Sequence, residues 1–381
     1  MGDSLLVNFV YAQQVGHVIE ALHYTHGYHV ADPSRHISLA LNARTATELA
    51  ALAPFVERVH PIGVDLFDAG ASPDLTGLPA TWDWIVTDSR SVDPAQREMF
   101  PGLAAYNDAV GERLEARRGR GLTGFKLPPS YAPGEHLRLT LPDEHRERAA
   151  ARFTGAGPRI AILPGGSAPR SCYPSLRSWE LIVAALLRRY PDATFCLVGK
   201  VREDDRTTTT FSRAELDQLL AAMPRSVDVV DAPLLDQVGA VGACDVLVSP
   251  HSGFSMIGLA FGTPWLTIGG GRWSEYFFNG VPFYSVLPDL DRFPGHTLMG
   301  ELPADVEDDG PRTPSMSRTR IEEDLDEIVS GAERLVERTW DYETALRDHA
   351  TRMLPTVGGR PEYLWSIDNV LAKALAAGDP S

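Results

Sequence analysis

The chain has 381 residues and a formal net charge of −16, and hydrophobic and charged residues make up 44% and 23% of it. A strongly acidic chain repels nucleic acid and anionic membranes, so neither is predicted as its partner, and no segment is apolar over a bilayer-spanning length. The chain is longer than a domain with a single hydrophobic core usually is, which predicts two domains. We therefore expect a cytoplasmic protein without integral membrane association.

The three cysteines are Cys172, Cys196 and Cys244. Their spacing matches no metal motif, and an odd number cannot pair completely. Cys196 and Cys244 lie in apolar, strand-like contexts. We expect buried free thiols in a reducing compartment.

Short apolar runs alternate with helical patterns over the first half of the chain. The predicted strands are residues 5–11, 36–41, 56–62 and 82–87, and the predicted helices are 18–25 and 45–55. Such alternation is typical of βαβ units around a parallel sheet. Residues 117–142 are rich in Gly, Pro and basic residues instead, which predicts a domain boundary there.

The alternation begins again after the boundary. Strands are predicted at 159–164, 194–199, 227–232, 245–250 and 265–270, and helices at 175–190, 212–223 (with Ser212 as N-cap) and 233–244. Residues 265–270 are expected to close the regular series. The predicted domains are therefore 1–142 and 158–355, both Rossmann-like.

The C-terminal part has a different composition. A long loop is predicted over 289–317, because that segment is rich in Pro, Asp and Gly. Helices are predicted over 321–338, 342–353 and 361–377. The last of them is expected to pack back towards the N-terminal domain.

One segment, residues 245–268, contains a buried strand, a polar loop, an apolar helix and a second buried strand. The loop includes His251, Ser252, Gly253 and Ser255, at the point where a parallel strand ends and a helix begins. Unpaired helix N–H groups at such a junction favour anions, phosphates above all. This predicts a ligand-binding loop; the alternative is an ordinary strand–helix junction that binds nothing.

Three segments, in their order, resemble the bacterial ADP-heptose:lipopolysaccharide heptosyltransferases. These are glycosyltransferases of the GT-B fold, which has two Rossmann-like domains with parallel sheets facing a central cleft. The segments are QVGHVIEAL (14–22), ILPGGSAPRSCYPSLRSWELIVAAL (162–186) and SPHSGFSMIGLAFGTPWLTIGG (249–270). The resemblance implies an α/β chain of GT-B type and a nucleotide-sugar substrate.

The chain departs from that family at several positions. His17 stands where the family has Asp, His251-Ser252-Gly253 where it has Asp-Thr-Gly, and Met256 where it has His. The basic residue usual before the family's Trp-Pro is absent. We therefore take the fold and the reaction class from the resemblance, and neither the heptose donor nor the lipopolysaccharide acceptor.

In a GT-B arrangement His17 would lie at the sheet edge that faces the cleft. Imidazole titrates near neutral pH, so His17 is a candidate for the base that takes the acceptor's proton. Asp88 follows the strand at 82–87 and is the candidate to orient that imidazole, as a carboxylate does in a triad. The alternative is that His17 is a solvated loop histidine.

The resemblance assigns donor binding to the second half of the chain. Backbone N–H groups of Gly165, Gly166 and Ser167 would cradle the diphosphate, and Arg170 would neutralise its charge. Lys200 and the loop of His251, Ser252, Gly253 and Ser255 would complete this site. A plain strand–helix turn is the alternative for residues 164–167, and residues 269–273 are either part of the cleft or a loop without function.

The leading hypothesis is an inverting glycosyltransferase that moves a sugar from a nucleotide-diphosphate sugar to an acceptor hydroxyl or amine, on a small natural product or a glycan. The alternatives are a nucleotide-sugar 2-epimerase of the same fold and a non-catalytic nucleotide-sugar-binding module. We expect no cofactor and no metal. The triplets Asp289-Leu290-Asp291 and Asp324-Leu325-Asp326 are weak metal signals, since GT-B transfer proceeds with helix dipoles and cations.

Overall fold

The structure is a computed structural model, and it describes residues 2–11, 14–68, 70, 73–122, 130–203, 208–270, 278–295 and 305–377. The chain divides into two compact units, Met1–Thr140 and Leu141–Ser381. Each unit is built on a parallel sheet of its own. No α-helix in the described part of the chain has the length and apolar character that a bilayer crossing requires.

The first unit contains a five-stranded parallel sheet in the order β3-β2-β1-β4-β5. Its strands are Ser4–Asn8 (β1), His36–Asn42 (β2), Arg58–Ile62 (β3), Thr81–Thr87 (β4) and Glu115–Leu122 (β5). Its helices are Gly16–Ala31 (α1), Thr47–Ala50 (α2), Pro94–Met99 (α3) and Pro101–Arg113 (α4), with a 3-10 turn at Ser89–Val92.

The central strands of this sheet are apolar on both faces, as expected where helices cover a parallel sheet on both sides. In β1 every residue after Ser4 is buried, and Val7 lies between Leu39 of β2 and Val86 of β4. The core of the unit includes Leu6, Ala40, Ile62, Ile85, Leu103, Tyr106 and Val110.

Two parts of the first unit differ from the sequence-based expectation. β5 forms inside the segment predicted as a boundary, because an edge strand tolerates the Arg and Gly residues of EARRGRGL. α3 and α4 were not predicted, although Asp93 caps α3 and Pro is the first residue of both helices. The helix expected at 45–55 is limited to α2.

The second unit contains a six-stranded parallel sheet in the order β11-β10-β9-β6-β7-β8. Its strands are Arg159–Ile162 (β6), Thr194–Leu197 (β7), Ser226–Asp228 (β8), Val246–Pro250 (β9), Trp265–Ile268 (β10) and Phe283–Val286 (β11). Asp305–Glu307 (β12) and Gly310–Arg312 (β13) form a separate antiparallel hairpin.

The helices of this unit cover both faces of its sheet and form its C-terminal part. They are Asp143–Ala150 (α5), Leu176–Arg189 (α6), Arg213–Ala221 (α7), Leu234–Gly242 (α8), Gly253–Ala260 (α9), Arg318–Glu323 (α10), Leu325–Val336 (α11), Tyr342–Met353 (α12) and Val370–Ala376 (α13). The predicted N-cap Ser212 is confirmed and forms a capping box with Glu215. The three cysteines are buried free thiols, as predicted.

Three expectations for the second unit are wrong. Residues 265–270 do not contain the last strand of the sheet, because β11 follows β10 in the chain and pairs with it at the sheet edge. The helix expected at 321–338 is two helices, since Asp324 ends α10 and begins α11. The helix expected at 361–377 is limited to α13, preceded by 3-10 turns in which Asp368 and Asn369 have positive φ. The expected packing of residues 361–377 against the N-terminal domain stays a prediction.

Both sheets have the same kind of topological switch point. In the first unit the chain runs from β1 outward to β2 and β3, and then returns to β4 on the other side of β1. In the second unit it runs from β6 to β7 and β8, and then returns to β9 beside β6. In open α/β sheets, ligands bind beyond the carboxyl ends of the two strands at such a point.

Candidate functional site

His17 lies at the switch point of the first unit. The amide of Asp88 donates to the carbonyl of Asn8 over 3.1 Å, and beyond that bond the chains leaving β1 and β4 diverge. The chain after β1 enters α1, whose second residue is His17. The imidazole is 19% exposed, and its Nδ1 lies 3.1 Å from Oε2 of Glu20, one helical turn further on. The histidine is therefore held by a partner and is not a solvated loop residue.

Arg90 joins the carboxylates of this site. Its guanidinium donates to both oxygens of Asp88, at 2.9 and 2.8 Å from Nε, and to Oε2 of Glu20 at 3.2 Å. Glu20 and Asp88 are buried to 6% and 8% side-chain exposure. Two buried carboxylates thus share one guanidinium, which supplies the countercharge that burial of an anion requires.

The proposed pairing of Asp88 with His17 is wrong, because the carboxylate beside the imidazole is that of Glu20. Asp88 instead binds Arg90 and accepts the backbone N–H of residue 90 at 3.0 Å. Glu20 and Arg90 are site residues that were not predicted from the sequence. Glu20 had a detectable signal, since it lies three residues after His17 at the start of a helix. Arg90 follows Asp88 by two residues in a 3-10 turn, a spacing that carries no such signal.

The electrostatics of the site fix the tautomer of His17. Burial alone would raise the pKa of Glu20, but Arg90 and His17 together lower it to about 2. Burial would likewise lower the pKa of Arg90, and the charges of Glu20 and Asp88 raise it instead. At neutral pH Glu20 is therefore an ionised acceptor, so Nδ1 of His17 carries the proton that it donates. Nε2 is then the ring nitrogen that can accept a proton.

Tyr11 packs against both His17 and Arg90. Its ring lies edge-on to the imidazole with centroids 4.9 Å apart, and the Arg90 guanidinium carbon lies 4.0 Å from its centroid. The hydroxyl donates to Oε1 of Gln96 over 2.9 Å. Burial raises the pKa of Tyr11, so this hydroxyl stays protonated.

The predicted donor loops lie at the switch point of the second unit. Leu163 donates to the carbonyl of Val248 over 3.1 Å, and the chains leaving β6 and β9 diverge after that bond. A Cβ on Gly166 would lie 3.6 Å from Cβ of Ser252, so the two loops are in contact. The structure therefore brings the loop after β6 and the loop after β9 together, as the resemblance implied.

The two glycines of the first loop lie where a larger side chain would be crowded. A Cβ on Gly165 would meet the rings of Tyr173 and Phe211 at 3.0 Å, and one on Gly166 would meet the Tyr173 hydroxyl at 3.1 Å. That hydroxyl accepts the N–H of Ala168 over 2.9 Å. The loop is thus wound around Tyr173, while Ser167 at its tip is exposed.

The loop after β9 leads into α9, and a chain of hydrogen-bonded hydroxyl groups holds it in place. Ser252 is the N-cap, and its Oγ accepts the N–H of Ser255. The Ser255 hydroxyl lies 2.9 Å from that of Ser252 and 2.6 Å from that of Ser249, which accepts Nε1–H of Trp265 over 2.9 Å. Ser255 has no exposed surface, so its role is to hold the loop rather than to contact a donor. Gly253 and His251 are half-buried beside it.

Arg170, which is expected to neutralise the diphosphate, is paired with two carboxylates in this structure. Its guanidinium forms ion pairs with Glu215 at the start of α7 and, over 2.9 Å, with Asp309 in the hairpin turn. It also lies 5.5 Å from the ring centroid of Phe211. Hydrogen bonding to Glu215 raises the pKa of Arg170. Arg170 thus joins three separate segments of the second unit.

The remaining candidates are placed as follows. Lys200 is half-buried three residues after β7, and its carbonyl accepts the N–H of Thr209 over 2.7 Å. Residues 271–273 lie outside the described residues. Asp289 accepts the N–H of Asp291 over 3.0 Å, and Asp324 forms an ion pair with Arg320 over 2.6 Å, so both triplets have structural roles.

The fold is similar to those of two solved glycosyltransferases. The chain is 13% identical to a family 9 glycosyl transferase from Veillonella parvula, with a TM-score of 0.55, over 88% of this chain and 98% of that one. It is 14% identical to the E. coli ADP-heptose lps heptosyltransferase II, with a TM-score of 0.51, over 87% and 99% of the two chains. No family model and no curated protein matches the sequence. The chain has the GT-B fold of heptosyltransferase-like glycosyltransferases, which confirms the expected fold class.

Proposed function

We propose that this protein is an inverting glycosyltransferase that moves a sugar from a nucleotide-diphosphate sugar to an acceptor hydroxyl or amine. The observation that carries the proposal is the pair of His17 and Glu20 at the switch point of the first unit. An ionised carboxylate on Nδ1 leaves Nε2 as the base, which is the arrangement of general-base catalysis in a triad.

In the proposed reaction the acceptor oxygen or nitrogen attacks the anomeric carbon on the face opposite the leaving diphosphate. The new bond forms as the bond from that carbon to the diphosphate oxygen breaks, and the acceptor's proton moves to Nε2 of His17. The imidazolium then lies beside Glu20, while Arg90 remains paired with Asp88. Glu20 and Arg90 are positioning residues in this scheme.

We assign donor binding to the second unit. Gly165, Gly166 and Ser167 follow β6, and Ser252 and Gly253 start α9 beside them. The first N–H groups of a helix have no partner within it, and together with a glycine loop they stabilise phosphate oxygens. Because these groups are dipoles of the backbone, the proposal includes neither a metal nor a cofactor.

The first experiment measures thermal stabilisation by ADP, GDP, UDP, TDP and CDP, each with and without EDTA. A nucleotide at about 100 times its Kd stabilises the folded state by about 2.7 kcal/mol, which shifts the melting temperature visibly. We expect one nucleotide to stabilise the protein most, with and without EDTA. Stabilisation that EDTA removes would contradict the metal-free scheme, and no shift with any nucleotide would contradict the donor site.

The second experiment uses the matching nucleotide sugar and measures release of the nucleoside diphosphate. His17→Ala is expected to lower kcat at least about 100-fold, the usual contribution of a general base. His36→Ala is the matched control, because His36 is also paired with a glutamate, Glu57, over 2.9 Å but is exposed on the surface. Equal turnover in the two variants would refute the assignment of His17 as base.

A further inference from the structure

A row of aromatic rings connects the surface of the first unit to His17. The rings of Phe67 and Phe100 have centroids 5.5 Å apart, and those of Phe100 and Tyr11 are 5.9 Å apart. Tyr11 in turn contacts the imidazole of His17, with centroids 4.9 Å apart. Each step has the distance of a favourable aromatic pair. We call the rings of Phe67, Phe100 and Tyr11 the aromatic strip.

The outer end of the strip is held in place although it is exposed. Phe67 is 71% exposed, and its N–H donates to Oδ1 of Asp65 over 3.0 Å. The amide of Gly102 in α4 donates to the carbonyl of Leu66 over 2.9 Å, and a Cβ on Gly102 would collide with the Asp65 carbonyl. The turn that carries Phe67 therefore packs directly against the start of α4, whose N-cap is Phe100.

The aromatic strip presents aromatic surface and few polar atoms to a ligand. The two phenylalanines have none in their side chains, and the Tyr11 hydroxyl is engaged by Gln96. A saturated sugar needs hydrogen-bond partners for its hydroxyl groups when water is removed, whereas a flat apolar ring needs only stacking surface. The strip therefore fits an aromatic scaffold better than a glycan.

We propose that the aromatic strip is the acceptor site and that the acceptor is a hydroxyl or amine on an aromatic or fused-ring scaffold. The scaffold stacks on the exposed ring of Phe67 and contacts Phe100, whose ring is inclined at 62° to that of Phe67, with its nucleophilic group towards Tyr11 and His17. The acceptor role rests on the proposed glycosyl transfer, whereas the binding of an aromatic ring to the strip does not.

The test uses 2-naphthol, a fused ring with one hydroxyl, and methyl β-glucoside as the glycan-like comparison. Binding of each to the full chain is measured by calorimetry. We expect 2-naphthol to bind and Phe67→Ala to weaken its binding roughly 3- to 10-fold, the value of one aromatic contact. Phe67→Leu, which keeps apolar volume without the ring, is expected to weaken it as well. Tyr363→Ala, at an exposed aromatic of the second unit, is the control with unchanged affinity.

Unchanged 2-naphthol affinity in Phe67→Ala, no 2-naphthol binding to the parent chain, or tighter binding of methyl β-glucoside would overturn the proposal. Nucleotide-induced stabilisation, measured separately, tests the second unit alone. If nucleotides bind and the Phe67 variants behave as the parent, the strip is not the acceptor site, while glycosyl transfer stands. If 2-naphthol binding depends on Phe67 but no nucleotide binds, the aromatic site stands, and its role as an acceptor site fails with the proposed function.

Discussion

The ionisation state of Glu20 determines whether Nδ1 of His17 donates or accepts the hydrogen bond between them. A carboxylate that is nearly fully buried would ordinarily hold a proton, and a protonated Glu20 could donate to the imidazole instead of accepting from it. Arg90 prevents this, because its guanidinium lies 3.2 Å from Oε2 and contributes to a Glu20 pKa of about 2. The ionisation of Glu20 beside the imidazole thus depends on a residue seventy positions away from Glu20 in the sequence.

The low pKa of Glu20 predicts how acid affects stability. Its folded-state value of about 2 lies below the ordinary value of 4.5. The ionised group therefore contributes stability at all pH values above about 4.5, and that contribution is lost as pH falls towards 2. Glu20→Gln is expected to lower the free energy of unfolding by about 2–3 kcal/mol at pH 7, with a difference that disappears near pH 2. Urea denaturation at a series of pH values measures it.

Glu57→Gln is the matched control for that prediction. Glu57 also pairs with a histidine Nδ1, that of His36 at 2.9 Å, but its side chain is 62% exposed. Surface pairs of this kind contribute little, so the pH dependence of the control should follow that of the parent chain. If the free energy of unfolding of Glu20→Gln fell as steeply between about pH 4.5 and pH 2 as that of the control, Glu20 would not be the group that its neighbours keep ionised.

The residues of the candidate site were predictable only where local sequence determines their place. His17, Gly166 and Ser252 follow strands of a parallel sheet, and the carboxyl ends of such strands define the ligand edge. The contact of His17 with Glu20 follows the i,i+3 spacing within α1, whereas the contact of Arg90 with Glu20 joins residues from separate segments, and no short motif encodes it. Asp88 was assigned a contact that Glu20 makes.

At the scale of elements, the loop after β6 is held by an ion-pair cluster. Arg170 in that loop pairs with Glu215 of α7 and with Asp309 between β12 and β13. Arg312 of β13, which has no exposed surface, also donates to Asp309 over 2.6 Å. The hairpin is thereby fixed to the loop, and Arg170 has its charge compensated before any anion arrives.

Arg170→Gln is expected to destabilise the protein without loss of nucleotide binding. The change removes a partly buried ion-pair centre and should lower the free energy of unfolding by about 1–2 kcal/mol. The Kd for the best nucleoside diphosphate, measured by calorimetry, should change less than about threefold, because the charge of Arg170 is already neutralised. Arg177→Gln is the control, since the pair of Arg177 with Glu180 is exposed on α6. A tenfold weaker Kd in Arg170→Gln would instead indicate direct contact with phosphate.

Central strands were predicted well and edge elements poorly, for a physical reason. β1, β6 and β9 are buried on both faces, so they stand out as continuous apolar runs. β5 lies at a sheet edge and contains three arginines, which an apolar pattern cannot reveal. β11 is apolar but follows a segment without helical periodicity, and its pairing with β10 depends on the tertiary fold.

At the scale of the whole molecule, the two units have the same kind of topological switch point and different side chains beside it. The first unit has an ionisable network of His17, Glu20, Arg90 and Asp88. The second has glycines and hydroxyls, with its nearby cation, Arg170, already paired. The first switch point therefore suits proton transfer and the second suits an anion, which are the two roles that the proposed glycosyl transfer assigns to them.

This division predicts that binding and turnover separate by unit. His17→Ala should abolish transfer yet keep the full nucleotide-induced rise in melting temperature, because the change lies in the first unit. Gly166→Val should lose that rise, since the added side chain would crowd the Tyr173 hydroxyl and fill the space beside Ser252 between the loops after β6 and β9. Gly242→Val in the second unit is the control for adding the same side chain, since a Cβ there meets no neighbouring atom within 4 Å. If His17→Ala removed nucleotide binding, or Gly166→Val kept it, the assignment of base and donor sites to separate units would be wrong.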